Sequence, residues 1–124
     1  MTMNTRSKKP RKQHKAQANA PYHQKNKALR APLDRAKYAN SKFKRITLRT
    51  GDTVKVLRGS RQGHEGKIAD VNLKKGKVSI EKALLQKADN KEVPIWFSPS
   101  NLVVTKVDLS DPVRKDKFKG LSEE

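Results

Sequence analysis

The chain has 124 residues, 33% apolar and 5% aromatic, which supplies one small core and not two. Its 30 Lys and Arg against 12 Asp and Glu leave a formal charge of +18, an excess that repels itself in a free compact chain and calls for a polyanionic partner. Cysteine is absent, which excludes disulfides, thiolate metal sites and Cys nucleophiles and fits a reducing, cytoplasmic setting.

No run approaches the roughly 20 apolar residues of a membrane span, so no membrane partner is expected. The basic start shows neither a secretory apolar region nor the apolar helix face of a mitochondrial presequence. Residues 1–45 carry 14 basic side chains and one acid, Asp34, with little to bury. They are expected to form a basic arm that is extended in isolation and orders on an anionic surface. Arg6-Ser7-Lys8-Lys9-Pro10-Arg11-Lys12 has no helical face and reads as an extended tail. Tyr22 to Leu29 follows Pro21 and Leu33 to Tyr38 follows Pro32, so each reads as a short helix opened by a first-turn proline. Both are too short to stand alone in water.

From Ile46 the pattern turns to short strands parted by turn residues. Strands are expected over Asp52 to Arg58, Glu65 to Val71, Lys77 to Ala83, Val93 to Phe97 and Leu102 to Val107. In Lys67-Ile68-Ala69-Asp70-Val71 the two large apolar residues fall on opposite faces, which predicts a bulge. Pro94 suits an edge strand. Five short, bent strands over residues 46–107 point to a mainly β unit folded as a small barrel. Its expected core is Val54, Val56, Ile68, Val78, Ile80, Val93, Ile95, Leu102 and Val104, with Phe97 a further candidate. Trp96, the single tryptophan, either caps that barrel or stacks on a nucleobase. Residues 108–124 mix both signs of charge and form a short C-terminal extension.

The strongest local signal lies between Gly51 and Ile68. Val54 and Val56 share one face of a strand while Thr53 and Lys55 share the other. Gly59, Gly63 and Gly66 then permit positive φ and close backbone approach, presenting amide donors beside Arg58, Arg61, His64 and Lys67. Such a loop suits a phosphate chain. The stretch from Asp52 to Val78, with Gly59 at the central glycine position, resembles the KOW motif of ribosomal proteins and transcription elongation factors.

The flanks narrow that resemblance. Lys8-Lys9-Pro10-Arg11-Lys12-Gln13-His14-Lys15, Ala20-Pro21-Tyr22-His23, Gly51 to Lys67, Lys87 to Pro94 and Ser98 to Val103 follow one another as in the large-subunit ribosomal protein twenty-four family, in its archaeal and eukaryotic form. Asp108 to Arg114 is similar to the longer ending of that branch. The resemblance implies an SH3-like barrel that binds large-subunit rRNA directly, early in assembly, near the polypeptide exit tunnel. It also implies neighbouring large-subunit ribosomal proteins as partners, a cytoplasmic ribosomal location, no cofactor, no small-molecule substrate and no independent homo-oligomer.

On the arm, Arg6, Lys8, Lys9, Arg11, Lys12 and Lys15 are candidate phosphate contacts, joined by His14, Tyr22, His23, Lys25 and Lys27. On the β unit the candidates are Arg49, Lys55, Arg58, Gly59, Arg61, Gly63, His64 and Lys67. His14 and His23 either touch RNA or stay solvated, and the loop glycines serve shape before contact. Charge supplies grip; address comes from the shape of loops and junctions, because A-form RNA hides its base edges in a narrow major groove.

Catalytic readings lack their parts. His14, His23 and His64 have no metal-ligand spacing. A Walker phosphate loop ending at Gly66-Lys67 needs glycine where Arg61 stands and Ser or Thr where Ile68 stands. Asp52, Glu65 and Asp70 each have basic neighbours, which points to ion pairing instead of acid–base chemistry. Two binding alternatives remain: a KOW-type transcription adaptor, which needs a further folded domain that residues 1–45 do not provide, and nonspecific DNA compaction, which needs no shaped loop.

Overall fold

The structure is a computed structural model and describes residues 6–119 and 121. Strands β3 (Thr53–Val56), β4 (Glu65–Asn72), β5 (Lys77–Gln86), β6 (Glu92–Phe97) and β7 (Leu102–Lys106) form one antiparallel sheet in the order β6-β5-β4-β3-β7. The alternation read in β3 is real: Val54 and Val56 are buried and Lys55 is exposed. The expected bulge is present in β4, where Ile68 faces Ile80 but Asp70 faces Ser79, leaving Ala69 over. A larger irregularity interrupts β5, where Ser79 faces Trp96 and Leu84 faces Pro94, and Lys82 takes a φ of 65°. Bulges bend the strand that carries them and sharpen its twist, so the sheet curves around its core. Among the described residues no ladder joins β6 to β7, so hydrogen bonding does not close the sheet into a full barrel. The chain is mainly β, as its strand pattern indicated.

Val54, Val56, Ile68, Val78, Ile80, Leu102 and Val104 are all enclosed, as expected. Val93 and Ile95 are only half-buried, and Phe97 leans on the core from a partly exposed position, because β6 is an edge strand with no neighbour on one side. The arm and the residues that directly follow it supply what they do not. Leu29, Ala31, Leu33, Tyr38, Ile46 and Leu48 all join the core. Strand β1 (Arg30–Pro32) pairs antiparallel with β2 (Arg45–Thr47), Leu33 bridges in parallel to Val104, and the Asp34 amide donates to the Val104 carbonyl at 2.9 Å. That segment covers the outer edge of β7, which would otherwise invite pairing with another chain.

Two local expectations are corrected. Helix α1 spans Pro10–Ala18, where an extended tail was expected from Arg6 to Lys12. Pro10 sits at its first turn, and the Arg, Lys, Gln and Ala that follow are good helix formers even without an apolar face. No residue of α1 is buried. In Leu33 to Tyr38 the helix does not form, since Leu33 is held extended by its bridge to Val104. A single turn follows, in which the Asp34 carboxylate accepts from the Ala36 amide at 3.0 Å and the Asp34 carbonyl accepts from the Tyr38 amide at 2.9 Å. Tyr22 to Leu29 is helical as read, with α2 (Tyr22–Lys25) running into a 3-10 turn at Asn26–Leu29.

The C-terminal extension is locked to the sheet by one buried ion pair. Asp52 is fully enclosed, and both its oxygens meet the fork of Arg114, at 2.6 and 2.7 Å. The same carboxylate accepts from the amides of Asp108 at 2.9 Å and Arg49 at 3.0 Å, while the Arg114 guanidinium also donates to the carbonyls of Asp108 and Thr47. Helix α3 (Pro112–Lys117), capped by the Asp111 side chain on the Val113 amide, presents Arg114 to this site. Phe118 then packs edge-on against Phe43, with centroids 5.1 Å apart. At Asp108, hydrogen bonds from Ser110 hold the carboxyl below its ordinary 3.8. Its stabilising contribution is therefore complete above that value and is lost as pH falls through the lower folded value.

Because a buried charge stripped of its partner is strongly unfavourable, Arg114→Ala is expected to lower the unfolding free energy by about 3–5 kcal/mol. Arg114→Lys should recover less than half of that loss, since a point charge cannot reproduce the bidentate fork. Urea unfolding of the three chains measures both. Gly51→Ala should also destabilise, because its φ is +96° and an added Cβ would lie 2.6 Å from Asp108 Oδ2.

Candidate nucleic-acid interface

Residues 57–64 form the loop between β3 and β4, and its shape is set by backbone bonding. Val56 exchanges hydrogen bonds with Gly63 and His64, both at 2.9 Å, and the Gln62 amide returns to the Gly59 carbonyl. Gly59 and Gly63 adopt φ of 100° and 87°, with open space where a Cβ would be. Gly66 is needed for a different reason: its Cβ would meet Ile80 Cγ2 at 3.0 Å and the Glu81 carbonyl at 3.3 Å. The loop is also tied to the kink of β5. Arg61 Nη2 donates to the Leu84 carbonyl at 2.9 Å, and His64 Nε2 lies 3.2 Å from the Glu81 carbonyl, which places a proton on that nitrogen. Both side chains therefore brace the loop, while Arg58 is exposed at its entrance.

The remaining candidates of the β unit differ in surroundings. Lys55 stands opposite Glu65 and Lys67 opposite Thr53, so the outer face of β3 and β4 mixes charge. Arg49 is exposed but paired with Asp111 at 2.7 Å. Glu65 and Asp70 make hydrogen bonds where ion pairs were expected: Glu65 accepts from the Thr105 hydroxyl at 2.9 Å and Asp70 from the Val71 amide at 2.8 Å. Trp96 is 38% exposed on β6, opposite Ser79.

On the arm no carboxylate precedes Asp34. Arg6, Lys8 and Lys9 lead into α1, on which Arg11, Lys12, His14 and Lys15 are all exposed. Tyr22 and His23 are exposed on α2, and Lys25 Nζ donates to the Ala18 carbonyl at 3.1 Å, which joins α2 to the end of α1. Lys25 and Lys27 then face a cleft of about 820 Å³ that they share with Arg30, Arg45, Lys74 and Lys75. Arg30, Arg45, Lys74 and Lys75 were not among the sequence candidates. They come from separate elements, and only the pairing of β1 with β2 beside the β4–β5 turn assembles them.

A small bent β-sheet carries a helical arm, with lysine and arginine gathered where acids are missing, a surface complementary in charge to a polyanion. Sequence comparison supplies the lineage. Residues 7–120 match the family described as ribosomal proteins L26 (eukaryotic) and L24 (archaeal), and the chain belongs to that family. It is 42% identical over 112 residues to the large ribosomal subunit protein uL24 of Saccharolobus solfataricus, covering 90% of this chain and 94% of the relative. The protein of the same name from Methanosarcina barkeri is 41% identical over 113 residues, covering 91% and 97%, and that of Methanoculleus marisnigri 43% over 117 residues, covering 92% and 94%.

The two kinds of loop glycine separate experimentally. Gly63→Ala should cost about 1–2 kcal/mol from its backbone conformation, and Gly63→Asn much less, because Asn tolerates left-handed φ. Gly66→Ala should cost about 1–3 kcal/mol from overpacking against Ile80, and Gly66→Asn should recover nothing. Thermal unfolding of the four variants gives this ranking or refutes it.

Proposed function

We propose that this chain is a structural constituent of the large ribosomal subunit that binds its rRNA directly and is incorporated early, near the polypeptide exit tunnel, in the cytoplasm. Its relatives' shared name supports the subunit, and the resemblance noted in the sequence supports the location and timing. The observation that carries direct RNA binding is α1: nine residues, no buried side chain, no acid in its first turn, and cations at Arg11, Lys12 and Lys15. An isolated helix of that length is marginal in water. Phosphates lying along it neutralise the repulsion among its cations and release condensed counterions to solution. The arm thus supplies affinity, and the loop braced by Arg61 and His64 supplies a fixed shape for a junction to meet. Neighbouring large-subunit proteins complete its surroundings, and no catalytic step is assigned to it.

Sedimentation of a lysate should place the chain with the large subunit through a moderate salt wash; migration with RNA polymerase or with free DNA would contradict the proposal. Deleting residues 1–19 removes Arg6, Lys8, Lys9, Arg11, Lys12 and Lys15, and none of the described residues it removes belongs to the core. In rRNA binding titrations, the log–log salt slope should then fall by about 4 to 5 if each cation meets a phosphate. An unchanged slope would show that the arm makes no such contact.

A further inference from the structure

The cleft beside α2 has features that a charge run along the sequence does not. Lys25, Lys27 and Arg30 form one wall, Arg45 comes from β2, and Lys74 and Lys75 come from the β4–β5 turn, with no carboxylate in the lining. The turn approaches the arm closely, since a Cβ on Gly76 would lie 4.0 Å from Ala28 Cβ. A pocket of this size ordinarily holds a small molecule when it is mostly apolar with a few polar groups. Here the polar groups are chiefly cations, six of them supplied by three separate segments of the chain.

Resting on the rRNA-binding reading above, we propose that this cleft seats one unpaired RNA strand, held by its phosphates, and excludes duplex. Its volume of about 820 Å³ is too small to enclose a folded duplex, whose width exceeds the roughly 12 Å of a single major groove. A folded double helix cannot enter; a single sugar-phosphate chain can. No aromatic side chain lines the cleft, so it lacks the stacking platform with which single-strand grooves read or rank bases. Its other polar side chains are Gln17, Ser98 and Ser100, and the two serine hydroxyls, 3.1 Å apart, suit phosphate or ribose oxygens. Recognition there is by backbone and is indifferent to sequence.

The cleft is continuous with the two features already described. Its wall at Pro99–Asn101 backs onto the glycine loop, where the Leu57 amide donates to the Asn101 carbonyl at 2.8 Å. At the other end, Lys25 is bonded to the Ala18 carbonyl at the end of α1. A strand in the cleft therefore runs from the arm toward Arg58, and duplex segments are left to the exposed faces of α1 and the loop.

The test uses the full chain and a Lys27→Gln/Lys74→Gln/Lys75→Gln variant, all three being exposed positions, with Lys75→Glu as a second variant and thermal midpoints as a folding check. The probes are a fluorescein-labelled 12-nucleotide oligouridine, a 12-base-pair RNA duplex and a 12-residue polyglutamate. The triple variant should bind oligouridine about tenfold more weakly with a salt slope lower by about 2, while duplex binding changes less than about twofold. Equal losses on oligouridine and duplex, or none on oligouridine, overturn the cleft assignment and leave rRNA binding intact provided the full chain still binds both RNAs. Failure of the full chain to bind either RNA overturns the broader reading. Tighter capture of polyglutamate than of oligouridine by the full chain, lost in the variants, replaces RNA with an acidic protein segment as the occupant.

Discussion

Electrostatic repulsion is the constraint on which this molecule turns. A chain of +18 must keep its cations apart or give them an anion, and its few carboxylates are engaged locally in turns, caps and one buried pair. Asp52 is enclosed with Arg114, Asp111 caps α3 and holds Arg49, Glu65 meets the Thr105 hydroxyl, and Asp34, Asp70, Asp89 and Asp108 accept from nearby backbone amides. Acids so placed stabilise turns and closures and keep negative charge away from the cations of α1 and the cleft. The basic surface of α1 and of the cleft thus follows from where the twelve acids lie along the sequence.

Packing links those surfaces into one body. Leu29, Ala31 and Leu33 anchor the arm in the core, so α2 and the cleft wall stand on the same scaffold as the glycine loop. The bend in β5 serves twice: it turns the sheet around its core and offers the Glu81 and Leu84 carbonyls that hold His64 and Arg61. Asp52 and Arg114 tie the opposite end, joining β2, the start of β3, the exit from β7 and α3 through one cluster of hydrogen bonds. A rigid presentation lowers the ordering cost that binding must overcome.

Much of the β unit was legible in the sequence because its signals are local. Val54 and Val56 alternate with polar neighbours, Ile68 and Val71 break phase where the bulge occurs, and Pro94 marks an edge strand. The loop glycines were legible as shape-forming residues, though not which of them answers to φ and which to close packing. What escaped was nonlocal. Leu29, Ala31 and Leu33 lie in a stretch whose composition reads as disordered, and their burial depends on pairing with residues 45–47 and on the free edge of β7. The bracing of Arg61 and His64 requires a kink about twenty residues away, and Arg30, Arg45, Lys74 and Lys75 become one site only after folding. The helix at Pro10–Ala18 escaped for another reason: it has helix-forming residues but no apolar face, and periodicity reads faces.

The most direct measurement is a cryo-electron microscopy reconstruction of the large ribosomal subunit carrying this chain. The account predicts phosphates against the cations of α1 and of the cleft, with Asp52 and Arg114 enclosed away from RNA. A map in which α1 and the cleft face open solvent, and the chain is held by protein contacts alone, would contradict it.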